Sequence, residues 1–242
     1  MRIARRLLGS LLLMAVVLPA AAAADPASEQ PWKDCAQRED VDLRIVGCTR
    51  VLADEDEETA DRAVAFNNRG NAHTARGDYT RAIADYTESA KLDPEYVWAY
   101  ANRGRAHLFS GSLAKARADF QQAAQLDPAS PYLALWLDVA DRRSKAPSGL
   151  GDAVAQFDMA KWPAPILRLY MGEVTPEQAL AAANGSPDQV CEANFYSGEL
   201  ALAQGNKGEA LRLFRAAVSG CAAGLIEGMG AKAELRALGV KQ

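Results

Sequence analysis

The chain contains two histidines, His73 and His107, which lie 34 residues apart. Two imidazoles at related positions could act as a paired base or hold a ligand, because histidine changes its charge near neutral pH. Both stand where a predicted helix faces its neighbour, at a position usually filled by an aromatic or aliphatic side chain. We therefore expect both rings to pack between helices as polar-tipped substitutes for tyrosine, and we predict no catalytic base at either position.

Two arginines and two aspartates share this spacing. Arg69 returns as Arg103, and Asp85 returns as Asp119 on the following predicted helix. Opposite charges that recur in this way most simply form a repeated ion pair within the molecule, which fixes the register of the helices and adds little stability when it is exposed. A ligand-binding role for the two arginines is the alternative.

Motifs of known catalytic chemistry are missing from the sequence. It holds no glycine-rich phosphate loop, no Gly-x-Ser-x-Gly elbow and no zinc-protease helix. It has no Cys-x-x-Cys pair, and two histidines do not suggest a zinc site. We predict that the protein is not an enzyme and that it needs no cofactor and no metal.

The spacing of 34 residues extends to the sequence around these side chains. Residues 68–70 (Asn-Arg-Gly) recur at 102–104, and residues 90–94 (Ala-Lys-Leu-Asp-Pro) recur at 124–128 with one change. A period of this length, with small, aromatic and proline residues at fixed places, resembles the tetratricopeptide repeat. The resemblance implies an all-α fold in which helix hairpins stack into a curved solenoid.

Small and aromatic residues stand at the expected contacts of each hairpin. In the first full repeat, residues 63–96, Gly70 and Ala82 allow two antiparallel helices to approach closely, and Tyr86 fills the space beside them. The corresponding residues of the second repeat, 97–130, are Gly104, Ala116 and Phe120.

The same phase is weaker outside residues 63–130. Residues 43–49 predict the second helix of a half-repeat, residues 132–143 predict the first helix of a third hairpin, and residues 151–160 its partner. The predicted organisation is a signal peptide at 1–24, an N-terminal segment with the half-repeat at 25–62, two repeats at 63–130, a degenerate repeat with an irregular insertion at 131–185, and a last repeat with a capping helix at 186–242.

Four cysteines, an even number, suggest disulfides in an exported chain, and they allow three pairings. Cys191 falls at the start of a predicted helix and Cys221 just past the end of its antiparallel partner, so these ends are neighbours. Cys35 precedes the half-repeat helix that contains Cys48. We predict the structural bridges Cys191–Cys221 and Cys35–Cys48.

The first 24 residues have the pattern of a secretory signal peptide. Three arginines precede an apolar run at residues 7–18, and an Ala-x-Ala motif at 22–24 precedes Asp25. An uncleaved membrane anchor is the alternative, but the apolar run is short for a membrane span. We expect cleavage after Ala24, no stable membrane anchor, and a periplasmic or secreted protein.

The charge of the chain is acidic. It has 27 basic and 31 acidic residues, and removal of residues 1–24 takes away three arginines, which leaves 24 against 31, a net charge of −7. An acidic protein repels polyanions. We therefore predict neither nucleic acid nor anionic lipid as a partner.

The concave face of such a solenoid is lined by the first helix of each hairpin. Asn71 and Arg105 could hold a peptide backbone or a carboxylate there, while Trp98 and Leu108 offer apolar contact. Partial burial of Trp98 by the neighbouring repeat is the alternative. The predicted partner-binding groove comprises Asn67, Asn71, Thr74, Trp98, Ala101, Asn102, Arg105 and Leu108.

Asn71 and Asn102 match the asparagines of the carboxylate clamps that bind chaperones. Such a clamp also needs a basic residue where this chain has Asn67, and further basic residues in the third hairpin, where residues 132–136 hold no Lys or Arg. We therefore assign no clamp.

A further resemblance covers most of the chain after residue 24. Two full repeats are followed by residues 135–137 (Leu-Trp-Leu), 166–172 (Ile-Leu-Arg-Leu-Tyr-Met-Gly) and 192–198 (Glu-Ala-Asn-Phe-Tyr-Ser-Gly) before the last repeat. This order resembles the new lipoprotein I type of bacterial envelope adaptor. The resemblance implies a homodimeric scaffold that brings periplasmic proteases and cell-wall hydrolases together without activity of its own. Proteins of that type carry a lipid on an N-terminal cysteine, which this chain lacks.

The predicted function is that of a periplasmic adaptor. Its concave groove would hold an extended segment or a helix of one or more partner proteins. The alternative is a module that binds a small ligand, with a cell-wall fragment as the obvious periplasmic candidate. Either role depends on a preformed complementary surface and requires no covalent chemistry.

Overall fold

A computed structural model describes residues 26–222 and 224–240, and the predicted signal peptide lies outside them. The described residues form α-helices and one short 3₁₀ helix, with no strand among them. The helices are α1 (Pro26–Ala36), α2 (Val41–Ala53), α3 (Thr59–Ala75), α4 (Tyr79–Leu92), α5 (Val97–Phe109), α6 (Leu113–Leu126), α7 (Pro131–Arg143), α8 (Leu150–Ala153), the 3₁₀ helix (Val154–Gln156), α9 (Ala164–Tyr170), α10 (Pro176–Ala182), α11 (Pro187–Ala203), α12 (Lys207–Gly220) and α13 (Ile226–Ala237).

Three of the helix hairpins close on the same contact. A glycine of the first helix faces an aromatic ring of the second, and a Cβ atom added to any of these glycines would lie 2.6–2.8 Å from that ring. The glycines therefore permit the close approach that the repeat pattern predicts. The three pairs are Gly70 with Tyr86, Gly104 with Phe120 and Gly198 with Phe214. This architecture confirms the predicted all-α solenoid of helix hairpins.

Turn residues fix the ends of the helices in the two regular repeats. Gly77 and Gly111 follow α3 and α5 with φ angles of 75° and 81°, a left-handed conformation that glycine adopts without strain. Asp78 then caps α4, because its carboxylate accepts a hydrogen bond from the backbone N–H of Arg81.

The N-terminal segment forms a complete hairpin, of which the sequence predicts only the second helix. Helix α1 packs against α2, and the predicted disulfide Cys35–Cys48 joins them with Cα atoms 4.5 Å apart. Gly47 brings α2 against the backbone of α1, since a Cβ atom there would lie 2.6 Å from the nitrogen of Cys35.

The third hairpin lacks a full second helix. The first helix is α7, as predicted, but residues 151–160 form only part of α8, the 3₁₀ turn and an irregular segment. Gly151 weakens helix formation here by about 1 kcal/mol relative to alanine. A cavity of ≈190 Å³ lies between α6, α7 and α8.

The main hydrophobic core joins the regular repeats to the C-terminal hairpin through Trp136 of α7. Its ring centroid lies 5.5–6.1 Å from those of Phe109, Phe120, Phe195 and Tyr196. The last hairpin, α11 and α12, contains the predicted disulfide Cys191–Cys221, with Cα atoms 5.0 Å apart. No helix in the described part of the chain is long and apolar enough to span a bilayer.

Candidate functional site

The first helices of successive hairpins, α3, α5, α7 and α11, contact one another in that order and form the inner, concave face of the solenoid. The C-terminal helix α13 packs mainly against the preceding helix α12, and on this face it also contacts α11 and α5. Arg236 of α13 also donates a hydrogen bond to the Tyr79 hydroxyl at 3.2 Å. The helix that the sequence predicts as a terminal cap thus covers the groove.

Close approach of α13 depends on Gly230. A Cβ atom there would lie 2.8 Å from carbon atoms of both Phe109 and Phe195, so the helix backbone rests directly on two aromatic rings. Beside this contact, Ile226 and Met229 line a residual cavity of ≈20 Å³, roughly the space of one water molecule. Helix α13 therefore leaves little space beside this contact.

The predicted groove residues differ in accessibility. Five of them are buried: Asn67, Ala101, Asn102, Arg105 and Leu108. Asn71 and Thr74 are half-buried, and Trp98 has 53% of its surface exposed. Trp98 is therefore the predicted groove residue that a partner reaches most readily while α13 is seated.

Packing explains the burial of the two apolar residues among these five. Ala101 of α5 contacts the cluster that includes Ala123 and Leu133 from the next two helices. Leu108, 1% exposed, belongs to the main core around Trp136. These two side chains hold the repeats together and are not available to a partner.

The polar groove residues bind one another. Asn102 donates to Asn67 Oδ1 at 2.7 Å, which links α5 to α3, and Arg105 donates to Asn102 Oδ1. The Tyr86 hydroxyl donates to Asn71 Oδ1 at 2.8 Å. These bonds satisfy buried polar groups and fix the spacing of the helices on the concave face.

Arg105 lies at the bottom of the groove, with 5% of its surface exposed. Its guanidinium stands 5.6 Å from the centre of the Trp136 ring. Burial lowers the pKa of Arg105, and the charges of Tyr86 and of Glu227 on α13 oppose that shift. The seated helix thus brings a carboxyl group towards a buried cation.

Two carboxyl groups meet near the start of α13. Burial raises the pKa of Glu227 to about 7, and the charge of Glu192 on α11 adds to the rise. Glu192 accepts hydrogen bonds from the Tyr132 hydroxyl at 2.9 Å and from the Trp162 indole at 2.8 Å, while burial also raises its own pKa.

A second pair of carboxyl groups lies seven residues further along both helices. Arg143 Nη1 of α7 donates to Glu199 of α11 at 3.0 Å and to Glu234 of α13 at 2.9 Å. Both acids are almost fully buried. Burial, followed by the charge of Glu234, raises the pKa of Glu199 to about 8. One arginine therefore holds two acids.

The regular repeats contain the ion pairs that their sequence predicts. Arg69 contacts both carboxylate oxygens of Asp85 at 2.8 and 2.9 Å, and Arg103 contacts those of Asp119 at 2.7 and 2.9 Å. Because each arginine matches one aspartate, these pairs are satisfied within their own hairpins.

The two histidines lie beside these aspartates. His73 Nε2 is 3.8 Å from Asp85 and His107 Nε2 is 3.9 Å from Asp119. Burial lowers the pKa of both imidazoles, and the aspartates oppose the shift. In the part of the chain that the structure describes, no group of three or more His, Cys, Asp or Glu side chains is placed to hold a metal ion.

Comparison with known families identifies the regular hairpins. Residues 70–108 match a family model described as TPR repeat, and residues 97–130 match one described as tetratricopeptide repeat. Residues 70–130 are tetratricopeptide repeats. No curated protein is similar enough to be matched with the chain. Repeats of this type generally provide surfaces for protein–protein interaction, and the concave face is the surface that the stacked first helices create.

Sequence reasoning misses the residues through which α13 binds this tetratricopeptide surface. They are Gly230, Glu227, Glu234 and their partners Arg143, Glu192 and Glu199. One signal is present in the sequence: Glu227 and Glu234 are seven residues apart and so share a helix face. Acids on the apolar face of an amphipathic helix indicate a specific buried partner.

Proposed function

We propose that the protein is an exported adaptor that binds other proteins through the concave face of its tetratricopeptide solenoid. One observation supports this proposal above the others: the face buries an amphipathic helix, α13, against aromatic rings and Arg143. A groove that accepts one helix has the shape and chemistry for a helical ligand. Complementarity alone suffices for this role.

The two disulfides support an exported protein. Bridges of this kind persist in the periplasm and outside the cell and are rare in the reducing cytosol. All four cysteines are paired in the bridges Cys35–Cys48 and Cys191–Cys221. Together with the predicted signal peptide, they favour a periplasmic or secreted location.

For the clients we propose the class that the resemblance to the new lipoprotein I type implies. These are periplasmic proteases and cell-wall hydrolases, held together on a homodimeric scaffold. We propose no lipid anchor, because no cysteine stands near the predicted cleavage site after Ala24. The net charge of −7 calculated for residues 25–242 also favours protein partners over nucleic acid or anionic membranes.

The test is site-specific photo-crosslinking in the periplasm, followed by mass spectrometry. A photoreactive residue replaces the exposed Trp98, which lies at the start of α5. The matched control places the same residue at Glu88, which is exposed and lies on the second helix of its hairpin. We expect a discrete protein to be captured from position 98 and not from position 88.

Equal capture from both positions, or none from position 98, would contradict the adaptor proposal at this surface. A second test uses Trp98→Ala, which should reduce partner capture while the helical circular-dichroism signal and the melting temperature stay unchanged, because the side chain is exposed.

A specific cavity favours the alternative function, the binding of a small cell-wall fragment. The ≈190 Å³ space between α6, α7 and α8 has mostly apolar walls and includes the buried acids Asp138 and Asp141. A thermal-shift titration with wall peptides tests it. A saturable shift at micromolar concentration that Asp138→Asn abolishes would support the ligand module, and no shift would remove this alternative.

A further inference from the structure

Helix α13 behaves as an occupant of the groove. A short link after α12 connects it to the solenoid, and this link includes Gly224 with a φ angle of 82°, a conformation that favours glycine. The concave wall itself consists of α3, α5, α7 and α11, whose contacts with one another do not involve α13. Helix α13 packs onto this wall and adds Ala231 and Leu235 to the main core.

Two contacts determine which helix the groove can accept. At Gly230 the helix backbone lies on Phe109 and Phe195, so closely that a Cβ atom would meet both rings at 2.8 Å. One helical turn later, Glu234 reaches Arg143 at 2.9 Å. The groove thus selects for a glycine and for an acidic residue four positions after it.

The fit of α13 is incomplete at its other acid. Glu227 is 8% exposed, and its Oε1 accepts a long hydrogen bond of 3.5 Å from the Tyr196 hydroxyl. The charge of the half-buried Glu192 on α11 acts on it, while Arg105 forms no ion pair with either carboxylate among the described residues. Burial of Glu227 within the influence of a second carboxyl group opposes docking. A helix with an uncharged residue in place of Glu227 would fit better than α13 does.

We propose that the groove binds an α-helix of a partner protein in place of α13, and that this helix contains the pattern Gly-x-x-x-Glu or Gly-x-x-x-Asp. The proposal rests on the adaptor function and deepens it by naming the chemistry of the partner. Helix α13 acts as a competitor within the same chain. A competitor on a short link has an effective concentration of about 1 mM, so a partner helix must bind more favourably than α13.

The first experiment opens the groove in the full chain. Gly230→Leu places a bulky side chain against Phe109 and Phe195 and should expel α13. Ala237→Leu makes a comparable change on an exposed position of the same helix and is the matched control. The probe is a fluorescein-labelled synthetic peptide with the sequence of residues 225–240, followed by fluorescence anisotropy.

We expect the peptide to bind Gly230→Leu at least tenfold more tightly than the wild type or Ala237→Leu, because the internal competitor is removed. If Gly230→Leu does not fold, Glu234→Lys provides a second route, since it places a cation at Arg143. Equal binding to all chains, or no binding to the opened ones, would overturn the proposal.

The second experiment changes the peptide and keeps the opened chain. Glu227→Gln should strengthen binding, whereas Glu234→Lys and Gly230→Leu in the peptide should each weaken it at least tenfold. A peptide in which Glu234 and Ala237 exchange places keeps the composition and the net charge, and should lose affinity as Glu234→Lys does. Binding that is indifferent to all these changes would exclude the proposed pattern.

The proposed adaptor function and the proposed helix pattern can be tested separately, because each would fail in a different experiment. If photo-crosslinking at position 98 captures a partner but the Gly230→Leu chain does not bind the peptide, the adaptor function stands and the proposed helix pattern is wrong. If the peptide binds as expected but no protein is captured, the chemistry of the groove stands and the adaptor function is wrong.

Discussion

The tetratricopeptide repeats and the C-terminal helices pair their charges in different ways. Arg103 serves Asp119, 16 residues away on the same hairpin, whereas Arg143 serves both Glu199 and Glu234, which are 56 and 91 residues away. Each of the two recurring Arg–Asp pairs of the repeats therefore lies within one hairpin. Helix α13 instead brings Glu234 to an arginine that Glu199 also binds, on a surface built by distant parts of the chain.

The two regions share one core, and its removal gives the largest expected effect. Trp136 contacts aromatic rings from α5, α6 and α11. We expect Trp136→Ala to lower the free energy of unfolding by about 3–5 kcal/mol and to destabilise both regions together. Urea denaturation followed by far-UV circular dichroism measures this change.

Trp98→Ala is the control for this experiment, because its ring is exposed, and it should change stability by less than about 0.5 kcal/mol. A Trp136→Ala protein that loses only the C-terminal helices, while α3 to α6 unfold as in the wild type, would show that this core does not couple the two regions.

The disulfides give the next largest effect and probe the two ends of the solenoid. Cys35–Cys48 closes 13 residues and Cys191–Cys221 closes 30. Each should contribute about 2–4 kcal/mol, and the longer loop about 0.7 kcal/mol more in the chain-entropy model. Paired Cys→Ser replacements, compared by urea denaturation, measure both values.

The two bridges also differ in whether they contact α13. Gly228 of α13 packs on Cys221, since a Cβ atom there would lie 2.8 Å from the Cys221 Cβ. Removal of Cys191–Cys221 should therefore increase protease cleavage between α12 and α13, while removal of Cys35–Cys48 should not. Identical cleavage patterns would argue against a role of the second bridge in seating α13.

The contacts within single hairpins could be predicted well from the sequence. The contacts of Gly70 with Tyr86 and of Gly104 with Phe120 follow directly from the 34-residue period, and the hairpin geometry leads to the pairing of Cys191 with Cys221. These features depend on residues within one hairpin, so a periodic pattern suffices to place them.

The contacts of α13 with distant hairpins could not be predicted in the same way. The seat of α13 depends on the accumulated curvature of all preceding hairpins, which brings Arg236 to Tyr79 across 157 residues. The 34-residue period of the sequence does not predict such a contact. The groove prediction likewise assigns Arg105 to a partner, whereas the seated helix and the neighbouring repeats bury it. The α1 helix and the shortened α8 also lie where the repeat pattern is weakest.

Stability should respond to pH in opposite directions in the two regions. Glutamate ionises near pH 4.3 in an unfolded chain, but the pKa values of Glu227 and Glu199 rise to about 7 and about 8 in the fold. Between pH 4.3 and 8 the folded state therefore holds more protons, and stability from the α13 contact falls as pH rises.

The histidines of the repeats act the other way. Burial lowers the pKa values of His73 and His107 below the usual value of about 6.5. The unfolded chain then binds more protons as pH falls below that value, so stability from the repeats is lost on acidification.

Melting temperatures from pH 5 to pH 9 measure both slopes. We expect Glu199→Gln to flatten the loss on the alkaline side by about 2–4 °C, and His107→Gln to flatten the loss on the acidic side. An alkaline loss that Glu199→Gln leaves unchanged would mean that other groups titrate there and that the α11–α13 carboxyl pairs do not set it.

Helix caps give the smallest effects and test whether the regions differ in cooperativity as well as in charge. Asp78 caps α4 within the repeats, and Thr175 forms a capping box with Gln178 at the start of the seven-residue helix α10. Replacement of either cap by alanine should cost about 1 kcal/mol, so the two changes are matched in chemistry and in size.

We expect their consequences to differ. Helix α4 packs along both α3 and α5, so Asp78→Ala should lower the melting temperature of the whole solenoid. Helix α10 is short and contacts α9 and α11, so Thr175→Ala should increase amide hydrogen exchange mainly within residues 176–182. Equal exchange throughout the chain in both variants would instead make the molecule one cooperative unit, in which α13 could not leave the groove without unfolding the repeats.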